Sequence, residues 1–301
     1  MTQIKVDESK DNEVLGTVVL IISLILATAI NALIKVAGSR LPSMQRIFYR
    51  TIIVFIGSLV LALRDKKNWN IEKSDSPWVL MRCIGGLGGS FASFYCLTKM
   101  NIADYTALSR LGPFFVALLS MIFFKEKIRL SSWLLYALAF AGGLMIIKPA
   151  GNSSLVPSLL VLCGAFFGSL AVISLRAMSK VSKPLLVAIN AGVILVVSGL
   201  ITIFNHVKPE KSELLILIFA VGAPDLLYQI LLAKAYSLCP PSKLTIYTYL
   251  LIVFSSIAGF ILGEVPDILS WIGYAVIIGA SLAMYYINGK SLHHHQLKPE
   301  P

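Results

Sequence analysis

Long apolar stretches separated by short polar segments follow one another along the whole chain. A helix that crosses a bilayer needs about 20 mostly apolar residues. Ten stretches reach or approach this length: Val14–Ala37, Met44–Leu63, Trp78–Thr98, Ala103–Phe124, Ser132–Ile147, Leu155–Leu175, Leu185–Phe204, Glu213–Leu238, Leu244–Leu262 and Ile268–Ile287. The segments between them are too short for a soluble domain. We therefore predict an all-α membrane protein with ten transmembrane helices.

The composition supports a membrane protein. Of the 301 residues, 57% are hydrophobic and only 14% are charged, whereas roughly a quarter of the residues in a soluble domain are charged. Soluble enzymes and nucleic-acid-binding proteins are therefore disfavoured, and the lipid bilayer is the expected surrounding. Residues 1–13 contain two lysines and four acidic residues. Because a signal peptide begins with a basic segment, we expect no cleaved leader.

The basic residues of the loops predict an orientation. If the N-terminus is cytoplasmic, about three times as many loop lysines and arginines lie on the cytoplasmic side as outside, as the positive-inside rule requires. We therefore predict a multi-pass protein of the plasma or inner membrane. Its N-terminal segment 1–13 and its C-terminal tail 289–301 are both expected to be cytoplasmic.

The two halves of the chain contain a weak internal repeat. A shift of 138 residues aligns Glu126 with Glu264, Trp133 with Trp271 and Tyr136 with Tyr274. The loop at 125–129 carries three basic residues and its counterpart at 263–267 carries none, which indicates that the two loops lie on opposite sides of the membrane. We predict two inverted five-helix repeats, 14–148 and 149–288. Such repeats commonly enclose a substrate site near the midplane and support alternating access.

Several short motifs resemble a known family. Phe94–Leu97, Ala103–Leu108, Gly112–Phe115, Phe124–Lys127, Gly142–Gly143 and Lys148–Pro149 resemble the first EamA-type repeat of the drug/metabolite transporter superfamily. The segment from Ala235–Ser237 through Glu264 to Trp271 is similar to the second repeat. The resemblance covers Val14–Ile287. It implies ten helices, cytoplasmic termini and a secondary carrier or exchanger of small polar metabolites.

Charged residues inside the apolar stretches are the first candidates for a site. Six are basic and one deep residue is acidic: Lys35, Arg46, Arg50, Arg82, Arg110, Lys234 and Asp225. A charge inside a bilayer costs about 2.5–3.5 kcal/mol on insertion scales, so these side chains are expected to face a cavity or one another. Lys35, Arg46 and Lys234 lie near stretch ends and are expected to extend towards the membrane surface. For Arg50 and Arg82, cavity lining and structural pairing both stay open.

Arg110 and Asp225 stand beside prolines. Pro113 lacks an N–H group, which leaves the carbonyl of Ser109 without its helical donor close to Arg110. Asp225 follows Pro224 in the same way. Both charged residues are candidates for substrate binding, with a static Arg–Asp pair as the alternative.

Uncharged residues extend the candidate site. Tyr228 and Gln229 lie three and four residues after Asp225 and share its helix face. Asp225 is also the candidate for carrying a coupling proton. The aromatic residues Phe94, Tyr95, Tyr247 and Tyr249 would form a stacking wall for a flat or cationic substrate, or else pack between helices. Asn31 would contact substrate or form a hydrogen bond between helices.

Together these features predict a secondary active transporter or exchanger that works by alternating access. Arginines suit a carboxylate, and Asp225 near tyrosines suits an amine or a sulfonium. The expected substrate is therefore a small polar zwitterion, such as an amino acid or a molecule similar to S-adenosylmethionine. The alternative is a membrane-embedded lipid-modifying enzyme or a structural membrane component. We expect no catalytic residue, metal, cofactor or nucleic-acid partner, and a monomer or homodimer.

Overall fold

The protein is built from helices, with no strand among the residues that the structure describes. This computed structural model describes residues 13–37, 40–64, 69, 71–125, 130–147, 155–178, 181–238 and 244–296. These residues contain twelve α-helices, in order: α1 (Glu13–Val36), α2 (Ser43–Arg64), α3 (Ser76–Cys96), α4 (Ile102–Ser109), α5 (Gly112–Phe124), α6 (Leu130–Ile147), α7 (Leu155–Ala177), α8 (Lys183–Phe204), α9 (Lys211–Leu215), α10 (Ala223–Leu238), α11 (Leu250–Ile261) and α12 (Ile268–Gln296).

In the described part of the chain, seven helical segments are long and apolar enough to cross a membrane, and three shorter apolar helices lie at Trp133–Ile147, Tyr247–Ile261 and Ile268–Met284. These segments overlap the predicted stretches and confirm a multi-pass helical membrane protein. Ten complete crossings stay a prediction. Residues 1–12 and 297–301 lie outside the described residues, so the positions of the two termini also stay a prediction.

The outer surface of the helix bundle is apolar. Phe204 is 83% exposed, and Ile203, Ile261 and Ile268 are almost as exposed. Large apolar side chains in such numbers are unfavourable in water, and lipid chains are the solvent that suits them. The hydrophobic residues therefore serve two surfaces, one facing lipid and one facing other helices.

Two of the apolar stretches are interrupted at their prolines. The fourth stretch divides into α4 and α5, which meet at Arg110 and Leu111 just before Pro113. The eighth divides into α9, a π-helix over Ile216–Gly222, and α10, whose second residue is Pro224. A proline cannot donate to the preceding turn, so the helix is broken or rewound there.

The helices pack in pairs drawn from the two halves of the sequence. Helix α3 packs against α7, α1 against α10, α2 against α8, and α6 against α12. Small residues permit the close approaches. A Cβ atom on Gly273 would lie 2.7 Å from the carbonyl oxygen of Gly142. Only glycine allows the backbones of α6 and α12 to meet at this distance.

Two large hydrophobic clusters fill the interior. One joins α4, α6, α11 and α12 and includes Leu108, Ile252 and Ile277. The other joins α1, α2, α3 and the π-helix and includes Ile47. The side chain of Tyr105 on α4 packs against both clusters. Tyr105 therefore lies where the two clusters meet.

Candidate functional site

A buried ion pair joins α2 to α10. The Arg50 Nη2 atom donates a hydrogen bond of 2.5 Å to Oδ2 of Asp225. The two side chains are only 17% and 9% exposed. The same carboxylate oxygen accepts a hydrogen bond of 3.3 Å from Nε2 of Gln229, one turn further along α10. The sequence named Asp225, Gln229 and Arg50 as separate candidates and did not pair Arg50 with Asp225. The structure brings the three side chains together.

Phe94 on α3 lies beside this ion pair. The guanidinium carbon of Arg50 is 5.6 Å from the centre of the Phe94 ring, and that of Arg46 is 5.9 Å from it. Phe94 itself is only 1% exposed. An aromatic face attracts a cation through its quadrupole, so Phe94 holds both guanidiniums near one point. The expectation that Arg46 extends to the membrane surface is wrong, since its side chain is 2% exposed.

Arg110 lies at the junction of α4 and α5, five residues after Tyr105. The Tyr105 hydroxyl is 2.6 Å from the Ser93 hydroxyl. The Nε atom of Arg110 is buried without a hydrogen-bond partner. Asp225 is therefore paired with Arg50 and not with Arg110, which the sequence had offered as its static partner.

A cavity of about 440 Å³ opens between the neighbouring ends of α2, α3 and α8. Its wall contains Tyr95, whose ring stacks on that of Phe91 at 6.0 Å between centres. Gln45, Arg46 and Lys99 supply polar and charged groups to the same wall. Of the aromatic residues predicted to stack on a substrate, Tyr95 is the one that lines this space.

The remaining predicted residues are more dispersed. Tyr228 is half-buried and packs against the cluster around Ile47. Tyr249 is buried in the cluster around Ile252, whereas Tyr247 is 38% exposed. The contacts of Tyr249 favour the packing interpretation for that residue.

Three further candidates make local contacts. The Ser109 hydroxyl donates to the Thr106 carbonyl oxygen within α4, at 2.7 Å. Arg82 donates a long bond of 3.4 Å to the Ala171 carbonyl oxygen on α7. Asn31 is half-buried on α1. None of these observations tests a role in substrate binding.

A second polar network, which the sequence did not indicate, lies at one end of the bundle. Lys35, at the end of α1, forms an ion pair with Glu264 and donates a hydrogen bond of 2.7 Å to the Met100 carbonyl oxygen. Oε2 of Glu264 accepts a bond of 2.8 Å from the Ile102 backbone N–H, at the start of α4. We call Lys35, Met100, Ile102 and Glu264 the latch. It ties the end of α1 and the start of α4 to the loop before α12.

Further contacts lie at the same end of the bundle. Arg40 forms an ion pair with Glu213, and Gln45 donates a bond of 2.6 Å to the Val207 carbonyl oxygen. The one sequence signal for the latch was the alignment of Glu264 with Glu126 in the repeat. Lys35 gave no signal beyond its position near the end of a stretch.

The interior of the described region carries more positive than negative charge. Arg46, Arg82 and Arg110 lie inside the bundle, whereas the acidic side chain of Asp225 is already paired with Arg50. Within the same described residues, no group of three histidine, cysteine or acidic side chains is placed to hold a metal ion. The arrangement is suited to binding an anionic group beside an existing ion pair.

The comparisons with known proteins agree with this architecture. The sequence pattern of the EamA-like transporter family matches residues 14–148 and 155–286. The two matches together span most of the chain, and each covers one predicted half.

Characterised relatives of similar length align over most of this chain. A pseudopaline exporter of Pseudomonas aeruginosa is 28% identical over 89% of this chain and 95% of its own. A riboflavin transporter of Brucella anthropi is 31% identical over 84% of this chain and 92% of its own. An S-adenosylmethionine uptake transporter of Rickettsia felis is 29% identical over 90% of this chain and 92% of its own. These relatives are membrane transporters and not enzymes.

A solved structure also matches the fold. It superposes with a TM-score of 0.60, covers 88% of this chain and 95% of its own, and is 19% identical in sequence. At this identity the likeness concerns the arrangement of the helices alone.

Proposed function

This chain belongs to the EamA-like transporter family, and we propose that it moves a small zwitterionic metabolite across the membrane by alternating access. Family membership and the transporter relatives establish a small-molecule transporter of the drug/metabolite transporter type. The observation that carries the finer proposal is the buried ion pair between Arg50 and Asp225.

The pairing of helices supports two inverted repeats as the framework. In two five-helix repeats, α1 corresponds to α7 and α3 corresponds to α10. Exchanging each helix for its counterpart turns the pair α3–α7 into the pair α10–α1, and both pairs are observed. The pairs α2–α8 and α6–α12 exchange into themselves. A bundle whose contacts survive this exchange has the pairing expected of two similar halves. Five helices in each half would then require inversion.

The ion pair between Arg50 and Asp225 stands between these halves, because α2 belongs to the first and α10 to the second. A zwitterion can replace this pair without leaving a charge uncompensated, since its carboxylate neutralises Arg50 and its ammonium neutralises Asp225. A simple cation would leave Arg50 unpaired, and a buried unpaired charge costs roughly 3–5 kcal/mol. A bound zwitterion would replace the Arg50–Asp225 ion pair with two new ion pairs, one to each side chain. This exchange favours zwitterions over simple cations or anions.

The latch supports alternating access. It joins α1, α4 and the loop before α12 at the end of the bundle that the loop charges assign to the outside. A transporter that closes one end while the other admits substrate needs contacts of this kind, which can break and re-form. We place the protein in the plasma or inner membrane with both termini cytoplasmic, as a monomer or homodimer.

The test combines ligand binding with uptake. The purified full-length protein is screened by thermal shift against amino acids and S-adenosylmethionine, because a true ligand stabilises the folded form. Uptake of the best ligand into proteoliposomes is then measured for the wild type, Asp225→Asn and Arg110→Ala. Both variants are expected to lose most of the uptake.

The control is Lys73→Gln, which removes an exposed charge just before α3. It is expected to transport normally. Normal uptake by both Asp225→Asn and Arg110→Ala would contradict the assigned site. Stabilisation only by ligands that lack either an amino or an acidic group would contradict the zwitterion.

A further inference from the structure

The cavity between the ends of α2, α3 and α8 has a wall that carries positive charge only. Among the described residues that line it, Arg46 and Lys99 are basic and none is acidic. We call this cavity, which Arg46, Phe91, Tyr95 and Lys99 line together with smaller side chains, the chamber. Its volume of about 440 Å³ is in the range of sites that hold small metabolites. An acidic group that enters the chamber therefore meets two positive charges and no negative one.

The two charges of the chamber differ in exposure. Arg46 is only 2% exposed, whereas Lys99 is exposed just beyond the end of α3. The Nη2 atom of Arg46 donates a hydrogen bond of 3.0 Å to the hydroxyl of Ser43, which also lines the chamber. A buried charge is screened less by water and salt than an exposed one. Arg46 is therefore expected to supply most of the affinity for an anion, and Lys99 to attract the anion from solution.

The polar side chains of the chamber are already engaged within the protein. Gln45 donates to the Val207 carbonyl oxygen, Thr98 to that of Tyr95 and Thr202 to that of Ser198. Recognition of an acidic group therefore falls on the two cations and not on these neutral groups.

One wall of the chamber is flat and aromatic. Phe91 and Tyr95 lie one turn apart on α3, with ring centres 6.0 Å apart and planes within 24° of parallel. Both side chains are half-buried, so part of each stays open to the chamber. A flat ring gains by packing against such a surface. The chamber thus combines a surface for a ring with two charges for an acid.

The chamber lies at the end of the bundle and not on its lipid-facing side. Helices α2, α3 and α8 pack against one another in all three combinations. The lining residues come from the start of α2 and from the ends of α3 and α8. The start of α2 also carries the positive end of the helix dipole, which adds to the attraction for an anion. These features favour a soluble acid over a lipid head group.

Arg46 connects the chamber to the buried ion pair. It precedes Arg50 by one turn of α2, and the guanidinium carbons of Arg46 and Arg50 lie 5.9 and 5.6 Å from the centre of the same Phe94 ring. An acidic group held at Arg46 is therefore one helical turn from the Arg50–Asp225 pair.

We infer that the chamber is a second binding site, which takes a small organic acid with a flat ring. The acidic group binds at Arg46 and Lys99, and the ring packs on Phe91 and Tyr95. Resting on the proposed function, the occupant is the acidic end of the transported metabolite, held one turn of α2 from Arg50. The transported class is then narrowed to metabolites that carry a flat ring.

The test uses three probes without an amino group, so that they report on the chamber and not on a site for zwitterions. Phenylacetate, phenylacetamide and cyclohexylacetate are titrated against the full chain in phosphatidylcholine nanodiscs by ligand-observed NMR. Phenylacetate is expected to bind about 10- to 100-fold more tightly than the amide, because a buried charge contributes that factor. It is expected to bind about three- to tenfold more tightly than cyclohexylacetate, because only the flat ring stacks.

Four variants assign these preferences to residues. Arg46→Gln is expected to reduce the preference for acid over amide to less than about threefold, and Lys99→Gln to weaken phenylacetate binding about two- to fivefold, as an exposed charge does. Tyr95→Leu is expected to lose the preference for the flat ring and keep that for the acid. Lys208→Gln removes an exposed charge at the same end of the bundle, outside the chamber, and is expected to change nothing. If Arg46→Gln fails to fold, Lys99→Gln and Tyr95→Leu still decide the matter.

A lipid head group is the competing occupant. When one third of the nanodisc lipid is phosphatidylglycerol, the affinity for phenylacetate is expected to fall by no more than about threefold, through the negative surface potential. A loss of more than about tenfold would assign the chamber to anionic lipid and overturn the inference.

The remaining outcomes separate this inference from the proposed function. Equal binding of phenylacetate and its amide, or a phenylacetate affinity that Lys99→Gln and Tyr95→Leu both leave unchanged, overturns the chamber as a site and leaves the zwitterion proposal intact. If the zwitterion proposal fails in its own screen while phenylacetate still binds through Arg46 and Lys99, the chamber stands as a site for organic acids alone.

Discussion

At the scale of single residues, the Arg50–Asp225 pair combines functional and structural demands. Asp225 accepts hydrogen bonds from Arg50 and Gln229. The Arg50 guanidinium carbon lies 5.6 Å from the centre of the Phe94 ring. The pair is therefore held by its neighbours, and under the proposed function both partners would also bind substrate.

The coupling within this pair is measurable. Arg50→Gln or Asp225→Asn alone is expected to lower the free energy of unfolding by roughly 3 kcal/mol, because each leaves the other charge buried and unpaired. The double variant is expected to lose less than the sum of the two. Denaturant unfolding of the purified protein gives all three values. Strict additivity would show that the two side chains do not interact.

At the scale of elements, the interrupted helices place the charged residues. The proline breaks free backbone groups beside Arg110 and Asp225, so polar chemistry occurs where the helix is already irregular. Elsewhere the helices are continuous and pack through small residues. The α6–α12 contact at Gly142 and Gly273 is one example, since a Cβ on Gly273 would overlap the opposite backbone.

The α6–α12 contact predicts the effect of a bulky side chain. Gly273→Leu is expected to lower stability by about 1–3 kcal/mol, since the two backbones must separate to admit it. Gly279→Leu is the matched control on the same helix, because a Cβ there has nothing within 4 Å. Thermal unfolding of the two purified variants compares them directly. A Gly273→Leu protein as stable as the Gly279→Leu protein would contradict the close packing.

At the scale of the whole molecule, the latch ties together elements from both halves of the sequence. It joins the end of α1, the start of α4 and the loop before α12 through Lys35 and Glu264. Beneath it, Thr106 on α4 donates a bond of 2.9 Å to Ser255 on α11. Opening this end requires all of these contacts to separate.

Opening of the latched end is expected to follow the loss of the Glu264 carboxylate. In a background without native cysteines, Ser255→Cys is expected to react with an impermeant maleimide about tenfold faster when Glu264→Gln is added. Such a factor corresponds to a decrease of about 1.4 kcal/mol in the free energy needed to open this end. Glu72→Gln, an exposed acid far along the chain, is the control. Equal labelling rates in all three proteins would show that Glu264 does not hold this end closed.

The sequence by itself determined the class of protein, the approximate helix bounds and the helix breaks. Apolar stretches of membrane length, prolines within them and a few intramembrane charges are local properties, and no alternative fold satisfies them in lipid. The family motifs are equally local. For this reason Asp225, Arg110 and their prolines could be singled out before any contact was known.

Only the tertiary structure decided which charges meet. Arg50 pairs with Asp225 across 175 residues of sequence, and Lys35 meets Glu264 from the opposite end of the chain. No periodicity along one helix encodes such a pairing, because it depends on how the helices of the two halves are rotated and packed against one another. The same packing buried Arg46 and left Arg110 without an acidic partner among the described residues.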